Sequence, residues 1–217
     1  MYEFDSSYET FSDRASLIEA RGKGGSLVDA DLSFLNLIDI DLSGLDLSGV
    51  LFTGSCLKGA NLEGCNLQSM FVQDADMDRV NFRDTNLGQA LFQRVSLCGS
   101  DFTGADLEEV NFFICTLQKA VFSQVNMQGA EIRESDLAHT LFDSSNLEGA
   151  EMRESDFDGA KFSSCNLRGV DFRKANLLTA SFESVAVDGA LFYGKPPWDG
   201  DGTKADWGSI MPTFDGE

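Results

Sequence analysis

The chain of 217 residues contains one histidine, three prolines and two tryptophans, and only 16 Lys plus Arg against 36 Asp plus Glu. The formal charge of −20 excludes attraction to nucleic acid or to an anionic membrane surface. It suits a basic protein surface, including one that normally holds DNA, or serves solubility alone. No stretch approaches the ~18 apolar residues of a membrane-spanning helix. Met1–Thr10 lacks the basic start and apolar core of a secretory signal. The five cysteines (Cys56, Cys65, Cys98, Cys115, Cys165) are odd in number and contain no CxxC pair. That argues against zinc and for a reducing compartment, so a cytoplasmic location is expected.

What is present is a period. Every fifth residue from Leu27 to Phe192 is apolar, thirty-four consecutive positions without a slip. Five fits neither the helix (3.6) nor the flat strand (2), so the chain must turn a corner every five residues. Two residues before the centre there is nearly always a small or modestly apolar residue, and one before it usually Asp or Asn. Two after often comes Gly or a polar residue. Ala60-Asn61-Leu62-Glu63-Gly64 and Ala105-Asp106-Leu107-Glu108-Glu109 show the unit.

This pattern resembles the pentapeptide-repeat family over residues 25–194. The resemblance implies an all-β fold, a right-handed quadrilateral parallel β-helix with four pentapeptides per coil and about eight and a half coils. At the ~4.8 Å spacing of stacked strands the rod would be roughly 40 Å long. The centre and the small residue before it would point inward, filling a square core. Residues 1–24 would then form an N-terminal cap and 195–217 an irregular acidic tail, one of whose tryptophans (Trp198, Trp207) packs on the last coil. Ser12 or Asp13 can cap a short helix from about Arg14 to Arg21, stopped by Gly22, with Leu17 and Ile18 covering the first coil.

A twenty-residue turn predicts columns. The column from Leu42 to Phe182 reads Leu, Leu, then six Phe, and the one from Phe52 to Phe192 is also Phe-rich. The two intervening columns are almost entirely Leu. Phe ladders should therefore face each other across the core. Asn66, Asn86, Asn126, Asn146 and Asn166 form an outer column expected to bond coil to coil.

Little here can carry chemistry. His139 is read as a solvated corner residue, not a base. Gly22-Lys23-Gly24-Gly25 lacks phosphate-loop spacing and reads as the joint between cap and coil. Cys65, Cys115 and Cys165 fall on inward small positions, whereas Cys56 and Cys98 point outward without basic neighbours. No active site, metal or cofactor is expected.

Outward positions should be polar, so apolar exceptions matter. Leu51, Phe71 and Leu91, followed one coil on by Phe113 and Ile114, stack into a candidate protein-binding strip on one side. It gives way to an alternating charge ladder of Glu131, Arg133, Glu134, Glu151, Arg153, Glu154 and Arg173. The opposite side offers only Val121 and Leu141. The strip fits a homodimer interface or a partner site, unless the tail or the N-terminal segment folds over it. Two functions follow: a non-catalytic scaffold or adaptor acting through this strip, or an acidic DNA mimic that binds a type II topoisomerase (DNA gyrase), as some members of the resembled family do. Those members typically dimerise through a C-terminal helical module and many carry projecting loops, which this chain lacks. The coil's −15 over roughly 40 Å is about one charge per 2.7 Å, sparser than the ~1.7 Å of duplex DNA.

Overall fold

A computed structural model describes residues 11–22 and 27–193. Asp13 begins the first element: its Oδ1 accepts the Ser16 N–H at 2.8 Å, satisfying a free amide of helix α1 (Arg14–Gly22). Leu17 is fully buried against the first coil, but Ile18 is 53% exposed, so only one of the two expected residues covers the rod. Neighbouring residues lie about 100° apart around a helix, and the angle at which α1 docks turns Leu17 inward and Ile18 to solvent. Arg14 Nη1 also donates to the Ile38 carbonyl at 2.5 Å, fastening the helix to the first coil.

The remainder is a parallel β-solenoid that matches the right-handed quadrilateral β-helix of the sequence expectation. Bridges join residues twenty apart: Asp31, Leu51, Phe71, Leu91, Asn111, Glu131, Glu151, Asp171 and Leu191 form one unbroken column. That column makes eight steps, slightly fewer than the expected eight and a half coils. Each backbone strand bonds both ways, as where Leu32 N–H reaches the Leu51 carbonyl (2.9 Å) and Leu51 N–H the Ala30 carbonyl (3.0 Å). The four pentapeptides of a coil make four outer faces, here numbered 1 to 4 from the triplets centred on Leu32, Leu37, Leu42 and Leu47.

Extended strands form on two opposite faces. Face 1 carries β1 (Phe71–Gln73), β2 (Leu91–Gln93), β3 (Asn111–Phe113) and β5 (Glu131–Arg133). Face 3 carries β4 (Val121–Ser123), β6 (Leu141–Asp143), β7 (Lys161–Ser163) and β8 (Ser181–Glu183). Their centres are the Phe-rich columns. From Phe82 to Phe182 on face 3, successive rings stack 4.7–4.9 Å apart and within 7° of parallel. Phe82 meets Phe92, and Phe102 meets Phe112, edge-on across the core at 6.4 and 6.2 Å. The face 3 ladder runs unbroken, whereas on face 1 Phe92 and Phe112 stack at 4.7 Å between Val72 and Ile132; stacked and edge-to-face contacts are those the ring quadrupole favours.

Inward small positions are closed by hydrogen bonds as well as by size. Ser135 Oγ accepts the Cys115 N–H (3.0 Å) and Ser145 Oγ the Val125 N–H (3.2 Å), so buried serines satisfy amides one coil away. At the far end Phe182, Val187 and Phe192 are only partly buried. The expectations for Met1–Thr10, for the glycine joint at 23–25, for the tail 195–217 and for its tryptophans lie outside the described residues.

Candidate interaction surface

Face 1 owes its flatness to β1–β3 and β5, whose parallel register stacks outward side chains in straight columns. The register places Leu51, Phe71 and Leu91 in one column and Phe113 in the next, with Ile114 at the adjacent corner. The strip read from sequence is therefore assembled in space. Leu91 and Ile114 are exposed, while Leu51, Phe71 and Phe113 are half-buried. On face 3, Val121 is half-buried and Leu141 exposed, an isolated pair.

The corners add what the sequence reading missed. Every corner from Asp29 to Gly189 except Thr179 has a left-handed backbone, with φ between 52° and 74°. Glycine, which has no Cβ to clash, takes many of these positions, and polar residues both short (Asp, Ser) and long (Arg, Lys, Glu, Gln, His) nearly all the others. Phe34 (φ 61°) and Ile114 (φ 55°) are the apolar exceptions, and Ile114 is the one β-branched residue among them. Phe34 is 79% exposed, its ring lying over Gly54, where an added Cβ would come within 2.7 Å of ring carbons. The signal for Phe34 was available: it occupies a position where the repeat elsewhere puts Gly or a polar residue.

Beyond the strip, charged side chains of successive coils form ion pairs. Arg133 bridges Glu151 (2.5 Å) and Glu131 (3.6 Å), and Arg153 reaches Asp171 (2.5 Å). Arg173 binds the same Asp171 (2.6 Å), and Lys174 holds Glu154 (2.6 Å). Asp171, absent from the expected set, is the hub: one nearly buried carboxylate shared by two guanidiniums. Burial pushes its pKa up, but hydrogen bonds from Arg173 and Arg153 outweigh this and hold it below the usual carboxylate value. Inside the strip, the Asp74–Arg94 pair borders a shallow open depression with Asp76, Ser96, Ile114 and Thr116.

Charge is unevenly divided among the faces. Face 4 carries Asp29, Asp46, Asp106, Glu108, Glu109, Glu148 and Asp188 against the single cation Arg168. The amide column runs along it: Asn86 Nδ2 donates to Asn66 Oδ1 (3.1 Å), Asn146 to Asn126 (3.2 Å) and Asn166 to Asn146 (3.0 Å). It is interrupted at Asp106, which accepts from Asn126 (3.1 Å).

For catalysis the arrangement offers little. His139 stands at a corner, its ring over Gly159, with no carboxylate or nucleophile bonded to it. Cys65, Cys115 and Cys165 are buried as expected, and burial pushes the Cys115 thiol up to about 11 and raises that of Cys165. Among the described residues no group of three or more His, Cys, Asp or Glu could hold a metal ion. No helix among them is long and apolar enough to cross a membrane.

Fold and surface together define a solenoid repeat protein that presents flat faces instead of a cleft. The chain belongs to the pentapeptide-repeat family, whose repeat-region profile matches residues 45–122 and again 115–192. No curated protein matches it in sequence. Among solved structures it is similar to QnrB1, a plasmid-mediated fluoroquinolone resistance protein, at 19% identity and a TM-score of 0.48, covering 83% of this chain and 89% of that one. It is also similar to HetL, a pentapeptide repeat protein involved in heterocyst differentiation regulation in the cyanobacterium Nostoc, at 22% identity and a TM-score of 0.40, covering 83% and 93%.

Proposed function

We propose that the protein is a non-catalytic interaction scaffold or adaptor that holds a protein partner on face 1. The observation that carries this is Ile114, a β-branched residue at a corner with φ 55° and 42% of its surface exposed. A left-handed backbone costs an ordinary L-residue about 1–2 kcal/mol, and exposure returns none of it. Folding alone prefers Gly, Asn or Asp there, so an apolar side chain is best explained by something that covers it. Other residues of the face support the same use: Leu91 is exposed on it, and Phe34 repeats the combination at the rod's beginning. An odd number of cysteines without a CxxC pair suits action in the reducing cytoplasm. The test is affinity capture from the source cell with wild type, with Phe71→Asp and with a face 3 control, Leu141→Asp. A partner lost with the first variant and kept with the second supports the reading; equal capture by both overturns it.

A second reading, an acidic DNA mimic that binds DNA gyrase or another DNA-binding protein, is favoured by face 4, where seven carboxylates face one cation. A gyrase supercoiling assay with and without a fluoroquinolone tests it. Inhibition or protection at micromolar protein, reduced by Glu108→Lys with Glu109→Lys, supports it; no effect of the wild type removes it.

A further inference from the structure

We infer that the two apolar corners, Phe34 and Ile114, are the halves of one contact between copies of this chain. The contact closes about a two-fold axis that lies between the two face 1 surfaces, parallel to the strands, over the Phe71–Gln73 rung. The inference rests on the reading of face 1 as an interaction surface, names a second copy as an occupant, and accounts for both exceptional corners at once.

Two faces brought front to front by this rotation keep each column on the same column and reverse the coil order. Residues of one column that lie equally far from the Phe71 rung therefore meet. In the column before the centres the order is Asp31, Leu51, Phe71, Leu91, Asn111, symmetric in character about its middle. Phe71 meets Phe71 of the second copy, and Leu51 meets Leu91. Asp31 meets Asn111, whose amide has a second N–H beside the one given to Glu131.

Along the corner Phe34, Gly54, Asp74, Arg94 and Ile114 stand on five successive coils. Phe34 there meets Ile114, and Gly54 meets Arg94. The Phe34 ring lies along the corner over Gly54. The rotation thus carries it to the Arg94 side of Ile114, over the shallow depression that Asp74, Arg94, Ser96 and Ile114 border. An aromatic ring has apolar contact there with Ile114 and a planar guanidinium on which to stack. Phe113 falls on Ser33, beside the same ring.

Charge favours this stretch for contact with a like chain. A protein of net charge −20 repels its own copy over most of its surface. Across the five shared coils, face 1 and this corner carry only Asp31, Asp74 and Arg94 as charged residues. The two Asp74 carboxylates that meet at the axis are each already gripped by an Arg94, so the four groups form a neutral set.

Other registers lose these matches. With the axis over Leu91, Leu51 meets Glu131 and Asp31 meets Glu151. With the axis midway between the Phe71 and Leu91 rungs, Asp31 meets Glu131 and Phe34 meets Glu134. Half a coil nearer the helix than the Phe71 rung, Ile114 passes beyond the first coil and stays bare. A parallel pairing about an axis along the rod sets Phe71 on Gln73 and Leu91 on Gln93.

Five coils at ~4.8 Å and a face about 10 Å wide give roughly 250 Å² per copy, well short of the ~800 Å² of a standard stable interface. The dimer is therefore weak and concentration-dependent, and a tighter partner on the same face displaces it.

The test uses the full chain carrying Cys56→Ser and Cys98→Ser, which leaves only buried cysteines. Single cysteines are added and joined with a bismaleimide reaching about 10 Å, the spacing of facing sheets. A mixture of Phe34→Cys and Ile114→Cys chains is expected to cross-link. Neither should do so alone, since like corners lie four coils, roughly 19 Å, apart across the axis. Phe71→Cys alone should cross-link at the axis, and Leu141→Cys on face 3 should not. Independently, sedimentation velocity should show wild type dimerising as concentration rises toward about 1 mM. Phe34→Asp and Ile114→Asp should each weaken this roughly tenfold, because every change is repeated across the axis. Both corners tolerate Asp, as Asp29 and Asp74 show at the same backbone conformation. A wild type monomeric at about 1 mM, no cross-link in the mixture, or Phe34→Cys joining itself as readily as Ile114→Cys would overturn the pairing. A monomeric wild type from which Phe71→Asp still removes a captured protein sinks the second copy and leaves the partner reading intact. A register-specific dimer without any such protein does the reverse.

Discussion

Arg94 grips Asp74 from the next coil with two parallel hydrogen bonds, Nε to Oδ1 at 2.7 Å and Nη2 to Oδ2 at 2.8 Å. The corner register brings them together: residues twenty apart stack directly, and the planar guanidinium matches both carboxylate oxygens.

This geometry makes a pH prediction. The Arg94 hydrogen bonds, with a further one from Gln73 at 3.0 Å, hold the Asp74 carboxyl at about 2 instead of the ordinary 3.8. The folded value lies below the unfolded one, so the contribution of the pair is complete above about pH 4 and is lost as pH falls through the folded value. A carboxyl titration followed by NMR should place the midpoint of Asp74 near 2. In Arg94→Gln it should rise toward 3.8 but stop short, since Gln73 still donates. An unchanged midpoint in the variant would refute the assignment.

Ile114 should behave as a site where function opposes folding. Ile114→Gly removes the left-handed penalty but adds the chain entropy of glycine, for a net stabilisation of about 0.5–1 kcal/mol. Denaturant melts would register this. The same variant should weaken whatever occupies face 1, and a loss of stability on substitution would contradict the strain argument.

The amide column predicts a gain from a conservative change. Asp106 can only accept, so the Asn86 Oδ1 receives no bond from the coil above, although it accepts the Gly88 N–H at 3.1 Å. Asp106→Asn would donate to it and make the column continuous from Asp46 to Asn166. A new hydrogen bond of this kind is worth about 0.5–1.5 kcal/mol, or a rise in Tm of a few degrees. The outcome that counts against it is a Tm at or below wild type at neutral pH.

Phe122 lies between Phe102 and Phe142, at 4.8 and 4.9 Å, in the middle of the face 3 stack. Phe122→Ala opens a cavity that coils above and below cannot close, because each backbone is fixed by its ladder bonds. A loss of about 3–5 kcal/mol is expected. Hydrogen exchange should show the weakening concentrated in the coils next to residue 122, since solenoid stability is a sum of neighbour terms. Uniform weakening from end to end would argue against such locality.

Much of this was legible beforehand. An apolar residue every fifth position leaves only a chain that turns a corner each time, and the twenty-residue columns of Phe and Leu specified which sides face each other. Asn146 on Asn126 and the Arg133–Glu151 pair were likewise implied by spacing. Ile18 was not: its apolar character fitted a helix covering the coil, and only the angle at which α1 docks decides that Leu17 takes the buried place. Asp171 was hidden because an acid before a repeat centre is commonplace, whereas sharing one carboxylate between two arginines depends on side-chain reach across a coil.

The sequence by itself determined the solenoid, its coil length, its inward and outward positions and the strip from Leu51 to Ile114. A strict period leaves local backbone and core packing no competing solution. Tertiary structure alone decided which apolar residues are exposed and which half-buried, where φ turns positive beneath Phe34 and Ile114, and which charges cancel. Those properties depend on distances between residues twenty apart in the chain, and a side chain's exposure and charge balance are set by neighbours that only the closed coil brings into contact.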